Sequence, residues 1–141
     1  MNKKVLVFIV GFFQSLFVLA QTGGADCNNL EPICTDVGIS FTASSGVPDA
    51  SVTSPGNNYD CLASEPNPTW YYLEISNSGD VQMNLSANSD IDYIIWGPFA
   101  SLADAEANCG SYSNVVDCSY SFTNNESPQI LGAITGQVYV M

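Results

Sequence analysis

The chain has 141 residues, and its only two basic side chains are Lys3 and Lys4, so 14 Asp and Glu with no His leave a formal net charge of −12. That length holds one domain, and beyond position 4 nothing can neutralise phosphate, which excludes direct nucleic-acid binding and disfavours anionic membrane surfaces. Mechanisms that lean on His, Lys or Arg go with them, and most acid–base and nucleophilic enzymes are of that kind.

In chain order, Met1 to Lys4 is a short positive segment and Val5 to Leu19 is apolar apart from Gly11, Gln14 and Ser15. Val18-Leu19-Ala20 then fits a small-residue cleavage site, so residues 1–20 read as a secretory signal peptide and the mature chain starts at Gln21. An uncleaved anchor is the alternative, since the apolar run is near the lower limit for a span. Asp26 ahead of Cys27 does not suit lipid attachment. Once the leader is gone every charged side chain is acidic, and no salt bridge between side chains can form. The carboxylates must then be hydrated, bonded to N–H groups or neutralised by cations, and self-repulsion at low salt is expected to cost stability.

Residues 21–36 form a Cys-containing segment with Cys27 and Cys34, and residues 37–141 carry Cys61, Cys109 and Cys118. In an exported chain these five are disulfide candidates. Cys27–Cys34 and Cys109–Cys118 are the short local pairings, spacing alone leaves the connectivity open, and one thiol of the five is left over. Without a CxxC pair or a histidine, zinc finds no ligand set.

Val37, Ile39, Phe41 and Ala43 alternate with polar or small residues and predict a first strand. Residues 44–68, rich in Ser, Gly, Pro and Asn, are too long for an ordinary connection unless stapled, and Cys61 is placed to staple them. Residues 69–75 predict an aromatic strand. After a turn at 77–80, Val81, Met83, Leu85 and Ala87 alternate with Gln82, Asn84, Ser86 and Asn88, so residues 70–87 read as a hairpin with one dry face. Ile91 to Trp96 is nearly continuous apolar and predicts a central strand, ended by Gly97-Pro98. Ser101 to Asp104 opens a short helix with a capping box, and Gly110 closes it. Strands follow over 115–122 and 137–141, with a weaker one over 129–134. The pattern predicts an all-β fold: an antiparallel, jelly-roll-like β-sandwich with one short helix. Because the chain stops inside an apolar strand, that strand is expected to be either an edge or the end of an incomplete domain, the second being preferred.

Residues 66–73 (PNPTWYYL), 90–99 (DIDYIIWGPF), 116–121 (VDCSYS) and 135–139 (TGQVY) together resemble the N-terminal module of large secreted surface proteins of gliding bacteria, which end in a gliding-motility-associated, type IX secretion sorting domain. More distantly, residues 70–96 resemble the bacterial pre-peptidase C-terminal domain, an accessory sandwich beside secreted proteases. The resemblance implies a secreted or cell-surface module that adjoins further domains of a longer chain. This sequence departs from the module at Ser127-Pro128, close to where a sixth cysteine often stands.

Two candidate sites emerge. Asp90 and Asp92 at i and i+2 put two carboxylates on one side of a strand, a pairing that suits calcium if backbone or Asn oxygens lie nearby; capping of a turn through N–H groups explains the same pair. Trp70, Tyr72 and Trp96, with Phe99, could form an aromatic platform for sugar rings, or could be core. The expected function is a non-catalytic extracellular module for adhesion, recognition or display, its partners being glycans or other surface proteins. The alternative is a carbohydrate-binding or protease-accessory module with calcium as a stabilising ion. Apart from calcium no cofactor is expected.

Overall fold

The computed structural model describes residues 24–33, 40 and 44–141. The expected leader, Cys34 and the strand expected on Val37, Ile39, Phe41 and Ala43 lie outside the described residues. In chain order the elements are β1 (Glu31–Pro32), a single helical turn α1 (Ala50–Thr53), β2 (Tyr71–Glu74), β3 (Gly79–Gln82), β4 (Leu85–Ser86), β5 (Tyr93–Phe99), α2 (Leu102–Ala107), β6 (Val115–Ser119), β7 (Asn125–Glu126), β8 (Gln129–Ala133) and β9 (Val138–Val140).

Five strands build one sheet in the order β1-β2-β9-β5-β6, antiparallel except for β1 beside β2. The pairs β3–β8 and β4–β7 form two short antiparallel ladders that cover one of its faces. The fold is an all-β sandwich, as the sequence predicts. The continuous apolar run of β5 has a direct cause: both of its faces are buried. Tyr93 and Ile95 point to one side, where with Ile75 and Tyr139 they meet Ile130 and Ala133 of β8 and the half-buried Val81 and Met83. Ile94 and Trp96 point to the other, where with Trp70, Val138 and Val140 they meet Cys27, Ala50, Ala105 and Tyr112. Each large side chain buried in this way contributes about 1.5–3 kcal/mol of transfer free energy.

The alternation over 81–87 is real, each apolar residue being half-buried and each polar one exposed. The hairpin expected over 70–87 is not formed. β2 pairs with β1 and β9, whereas β3 pairs with β8, so the 77–80 turn carries the chain from one layer to the other. Alternation dictates which side of a strand is dry and is silent about the neighbour it pairs with. β5 also runs on past Gly97-Pro98 to Phe99, with a register shift between Trp96 and Phe99. The exposed Pro98 sits within that irregularity and has no ladder hydrogen bond to supply. Gly97 has φ +142, and a Cβ there would come within 2.7 Å of the Tyr139 ring. β9 lies between β2 and β5 and is not an edge.

α2 starts as the sequence predicts: the Ser101 side chain accepts from the Asp104 N–H at 3.1 Å, and the Asp104 carboxylate accepts from the Ala100 N–H at 2.9 Å. The 44–68 connection holds the unforeseen turn α1.

Two disulfides form, Cys27–Cys109 and Cys61–Cys118, with Cα atoms 5.4 and 6.2 Å apart. The local pairings Cys27–Cys34 and Cys109–Cys118 are therefore corrected. The sheet sets Cys109, beyond α2, against Cys27, and sets Cys118, in β6, against Cys61 of the long connection. Cys61 thus staples that connection as expected. The segment around Cys27 does not precede the sandwich but belongs to it, since Cys27 is fully buried in the core and β1 extends the sheet. The bridges place the chain in an oxidising compartment. Among the described residues no helix is long and apolar enough to cross a membrane.

Candidate functional site

The long connection lies over the tryptophan face and is fixed to it by polar contacts that a loop of this composition readily makes. The Trp96 indole N–H donates to Asn58 O at 2.8 Å. The Tyr59 hydroxyl lies 2.9 Å from Ala50 O and 2.7 Å from Ser54 O, tying its own loop to α1. Asn57, itself buried, accepts from the Tyr112 N–H at 3.0 Å and donates to Ser54 O at 3.2 Å. The Tyr112 hydroxyl donates to Ala105 O at 2.9 Å, which fastens α2 to the same face.

These contacts settle where the expected platform lies. Trp70 and Trp96 are each 2% exposed and stack at 5.5 Å with their planes 11° apart. Tyr59 meets Trp96 edge-on and Tyr112 packs beside both indoles. Tyr72 is half-buried against the same cluster and Phe99 packs on Tyr112 at 5.0 Å. The aromatics are core, and no open face of Trp70 or Trp96 is offered to a sugar ring. Trp70, Tyr72 and Trp96 pack in one cluster on one side of the sheet, and the segment that covers that face has no periodicity to announce itself.

Beside this cover lies a cleft of about 480 Å³. It is lined by Tyr59, Ser64, Glu65 and Asn67 from the connection, by Asp90, Ile91 and Asp92 ahead of β5, and by Tyr120 beyond β6, with Trp70 and Trp96 also contributing. The Tyr120 hydroxyl is 3.2 Å from Ser64 Oγ. The loop beyond β6 carries exposed aromatics, Tyr120 at 42% and Phe122 at 98%. On the other side, the Asn67 side chain accepts from the Val47 N–H at 3.1 Å and so shapes the bend beside Glu65.

The two aspartates are exposed and precede β5 instead of standing within it. Asp90 accepts from the Thr123 N–H at 2.7 Å, and the Asp92 carboxylate accepts from the Ser121 N–H. Both thus hold the 121–123 turn against the start of β5. Burial pushes the Asp92 carboxyl above its ordinary value, and the nearby charges of Asp90 and Glu126 push it further, with the Ser121 N–H opposing them. Burial likewise raises the Tyr59 hydroxyl, against a hydrogen bond with Asn57 and together with the charge of Glu65. Among the described residues no group of three His, Cys, Asp or Glu side chains comes together to hold a metal ion. A calcium ion at Asp90 and Asp92 would have to draw its remaining ligands from backbone or amide oxygens.

Sequence reading found Asp90, Asp92, Trp70 and Trp96 but missed Glu65, Tyr59, Tyr120 and Asn57. These lie in irregular segments, and only the long, polar, Cys-bearing character of residues 44–68 hinted that the connection held a fixed structure. Comparison with models of known protein families, with curated proteins and with solved structures finds no match to the chain.

Proposed function

We propose that the chain is a non-catalytic extracellular module for recognition or display, a rigid β-sandwich belonging to a secreted or cell-surface protein. The observation that supports this reading most is the pair of long-range disulfides. They tie the N-terminal segment and the 44–68 connection to the sheet and so hold the acidic, tyrosine-lined cleft in one shape. Cross-links that close loops this long act chiefly on the unfolded chain, and a domain with so uniform a charge gains from them. Preorganised loops on a stiff scaffold are also what recognition needs, because little is then lost in ordering them on binding. The leader-like residues 1–20 and the resemblance to modules of gliding-motility-associated surface proteins point to the same setting.

A second reading, a carbohydrate-binding or protease-accessory module, is favoured by one feature of the cleft. Tyr59 and Tyr120 adjoin carboxylates there, and ring faces beside hydrogen-bond acceptors suit a sugar.

Localisation and attachment test the main reading. The native protein should be recovered outside the cell with its N-terminus at Gln21 and both disulfides formed. Added to cells, it should attach saturably, and the attachment should vanish on reduction. Recovery from the cytoplasm with free thiols, or no saturable attachment, would overturn the reading.

A further inference from the structure

A second, smaller cavity of about 180 Å³ lies between the end of β5 and the segment that links α2 to β6. Pro98 and Phe99 line it from the strand, and Asn108, Ser111, Ser113 and Asn114 line it from the segment. None of the residues lining it is charged, in a chain that carries 14 carboxylates. A cation therefore finds no carboxylate in its wall, and an anion meets a domain with no basic side chain beyond Lys4.

The polar groups of this wall are set for a neutral ligand rich in hydroxyls. The Asn108 amide nitrogen donates to Asp104 O at 2.8 Å and to Asp104 Oδ1 at 3.1 Å. The Asn114 amide nitrogen donates to Gly97 O. Each amide is thereby held in one orientation, and no bond among the described residues uses its oxygen. The hydroxyls of Ser111 and Ser113, both exposed, are likewise unengaged among the described residues. Two fixed acceptors beside two rotating hydroxyls suit a ligand with several donors in a small space.

The apolar part of the wall is equally fixed. Phe99 is half-buried and packs on Tyr112 at 5.0 Å, and the Tyr112 hydroxyl is pinned to Ala105 O. The Cys27–Cys109 bridge fastens the same segment to the core, so little ordering is left for a ligand to impose. The volume holds about six waters at ~30 Å³ each, and it is below the roughly 300–1,000 Å³ of a drug-sized site. One ring enters, and no more. A peptide offers one backbone N–H per residue along an extended chain. A sugar ring offers several hydroxyls at once, which reproduce the hydrogen bonds of the displaced water, and a C–H face to cover an aromatic ring.

We propose that this pocket binds the terminal neutral sugar of a glycan, its hydroxyls bonding to the Asn108 and Asn114 side-chain oxygens and to Ser111 and Ser113, with its C–H face on Phe99. This rests on the recognition reading above and gives it a ligand class.

The test titrates the full, disulfide-bonded chain with the methyl glycosides of glucose, galactose, mannose and N-acetylglucosamine, and with methyl glucuronide. Binding is read from backbone amide chemical shifts. At least one neutral glycoside should bind with a dissociation constant of about 1–10 mM, the range that a dozen ligand atoms support. The shifts should centre on residues 97–99 and 108–114. The glucuronide should bind less tightly than any neutral glycoside that binds, and least tightly at low salt. Ser111→Ala with Ser113→Ala should weaken binding about tenfold, as the loss of two hydrogen bonds predicts. If that variant melts below the wild type, Ser113→Ala alone carries the same comparison. Tyr120→Ala, in the larger cleft, should leave binding within about twofold of wild type.

No binding by any of the four neutral glycosides would overturn the proposal, as would a glucuronide that binds as tightly as they do. Unchanged binding by the serine variants would also overturn it. Shifts that centre on the larger cleft, with affinity lost in Tyr120→Ala, would overturn it too while leaving the recognition reading in place. That reading stands or falls separately, on the attachment of the native protein to cells.

Discussion

Trp96 does two jobs with one side chain. Its ring stacks on Trp70 at the centre of the tryptophan face, and its N–H holds the carbonyl of Asn58 in the connection above. Trp96→Ala therefore opens a large cavity and frees a loop at once, and should cost about 3–5 kcal/mol in a urea unfolding titration. Asp92 works in the opposite sense. Its folded-state carboxyl is held above the ordinary 3.8 by burial and by Asp90 and Glu126, so the folded chain takes up the proton more readily than the unfolded one. The stability that this contributes is complete below the unfolded value and is lost as pH rises through the folded value. At pH 7 the ionised Asp92 is then a liability, and Asp92→Asn, which keeps an acceptor for the Ser121 N–H, should melt higher than wild type. That advantage should vanish in melts run below about pH 3, where the wild-type carboxyl is itself neutral. An Asn variant that melts lower at pH 7 would show that the carboxylate serves the 121–123 turn better than an amide can.

At the scale of elements, what the sequence made legible was what local chemistry alone determines. The Ser101–Asp104 cap, the double-sided burial of Tyr93 to Trp96 and the dry face of 81–87 all follow from patterns a few residues long. Pairing was not legible. β2 and β3 adjoin in sequence but their partners, β9 and β8, arrive about 65 and about 50 residues later, and nothing in alternation names a partner at that range. The disulfides were opaque for the same reason, and the cleft more so, because its residues come from three irregular segments that only the closed sheet brings together. The long connection is where these points meet a measurement. It is held by Cys61–Cys118 and by side-chain bonds of Asn57, Tyr59 and Asn67 rather than by ladders. Replacing both cysteines, Cys61→Ser with Cys118→Ser, should cost about 2–4 kcal/mol. It should also make residues 44–68 the first site of limited proteolysis while the sheet stays protected. Even loss of protection across β5 and β9 would mean that the bridge supports the whole sandwich and not the connection alone.

Over the whole molecule the governing fact is that 14 acidic side chains face no basic ones after Lys4. Such a chain repels itself when compact and less when expanded, so the folded state bears the larger share of the repulsion. Screening acts on that difference: at about 0.15 M ionic strength the Debye length falls to about 8 Å, shorter than the separation of most exposed charges on a domain of this size. The melting temperature should therefore climb as sodium chloride is raised from low salt and then level off. Calcium offers a sharper comparison at matched ionic strength. Asp90 and Asp92 already accept from the Thr123 and Ser121 N–H groups, which leaves them fewer lone pairs for a metal. Screening alone then predicts that calcium chloride and sodium chloride give the same melting temperature at equal ionic strength. A further rise that appears only with calcium, saturates at low millimolar concentration and is lost in Asp90→Asn with Asp92→Asn would instead assign these two carboxylates to a bound ion. The charge of the molecule would then be answered at one place and not by the medium as a whole.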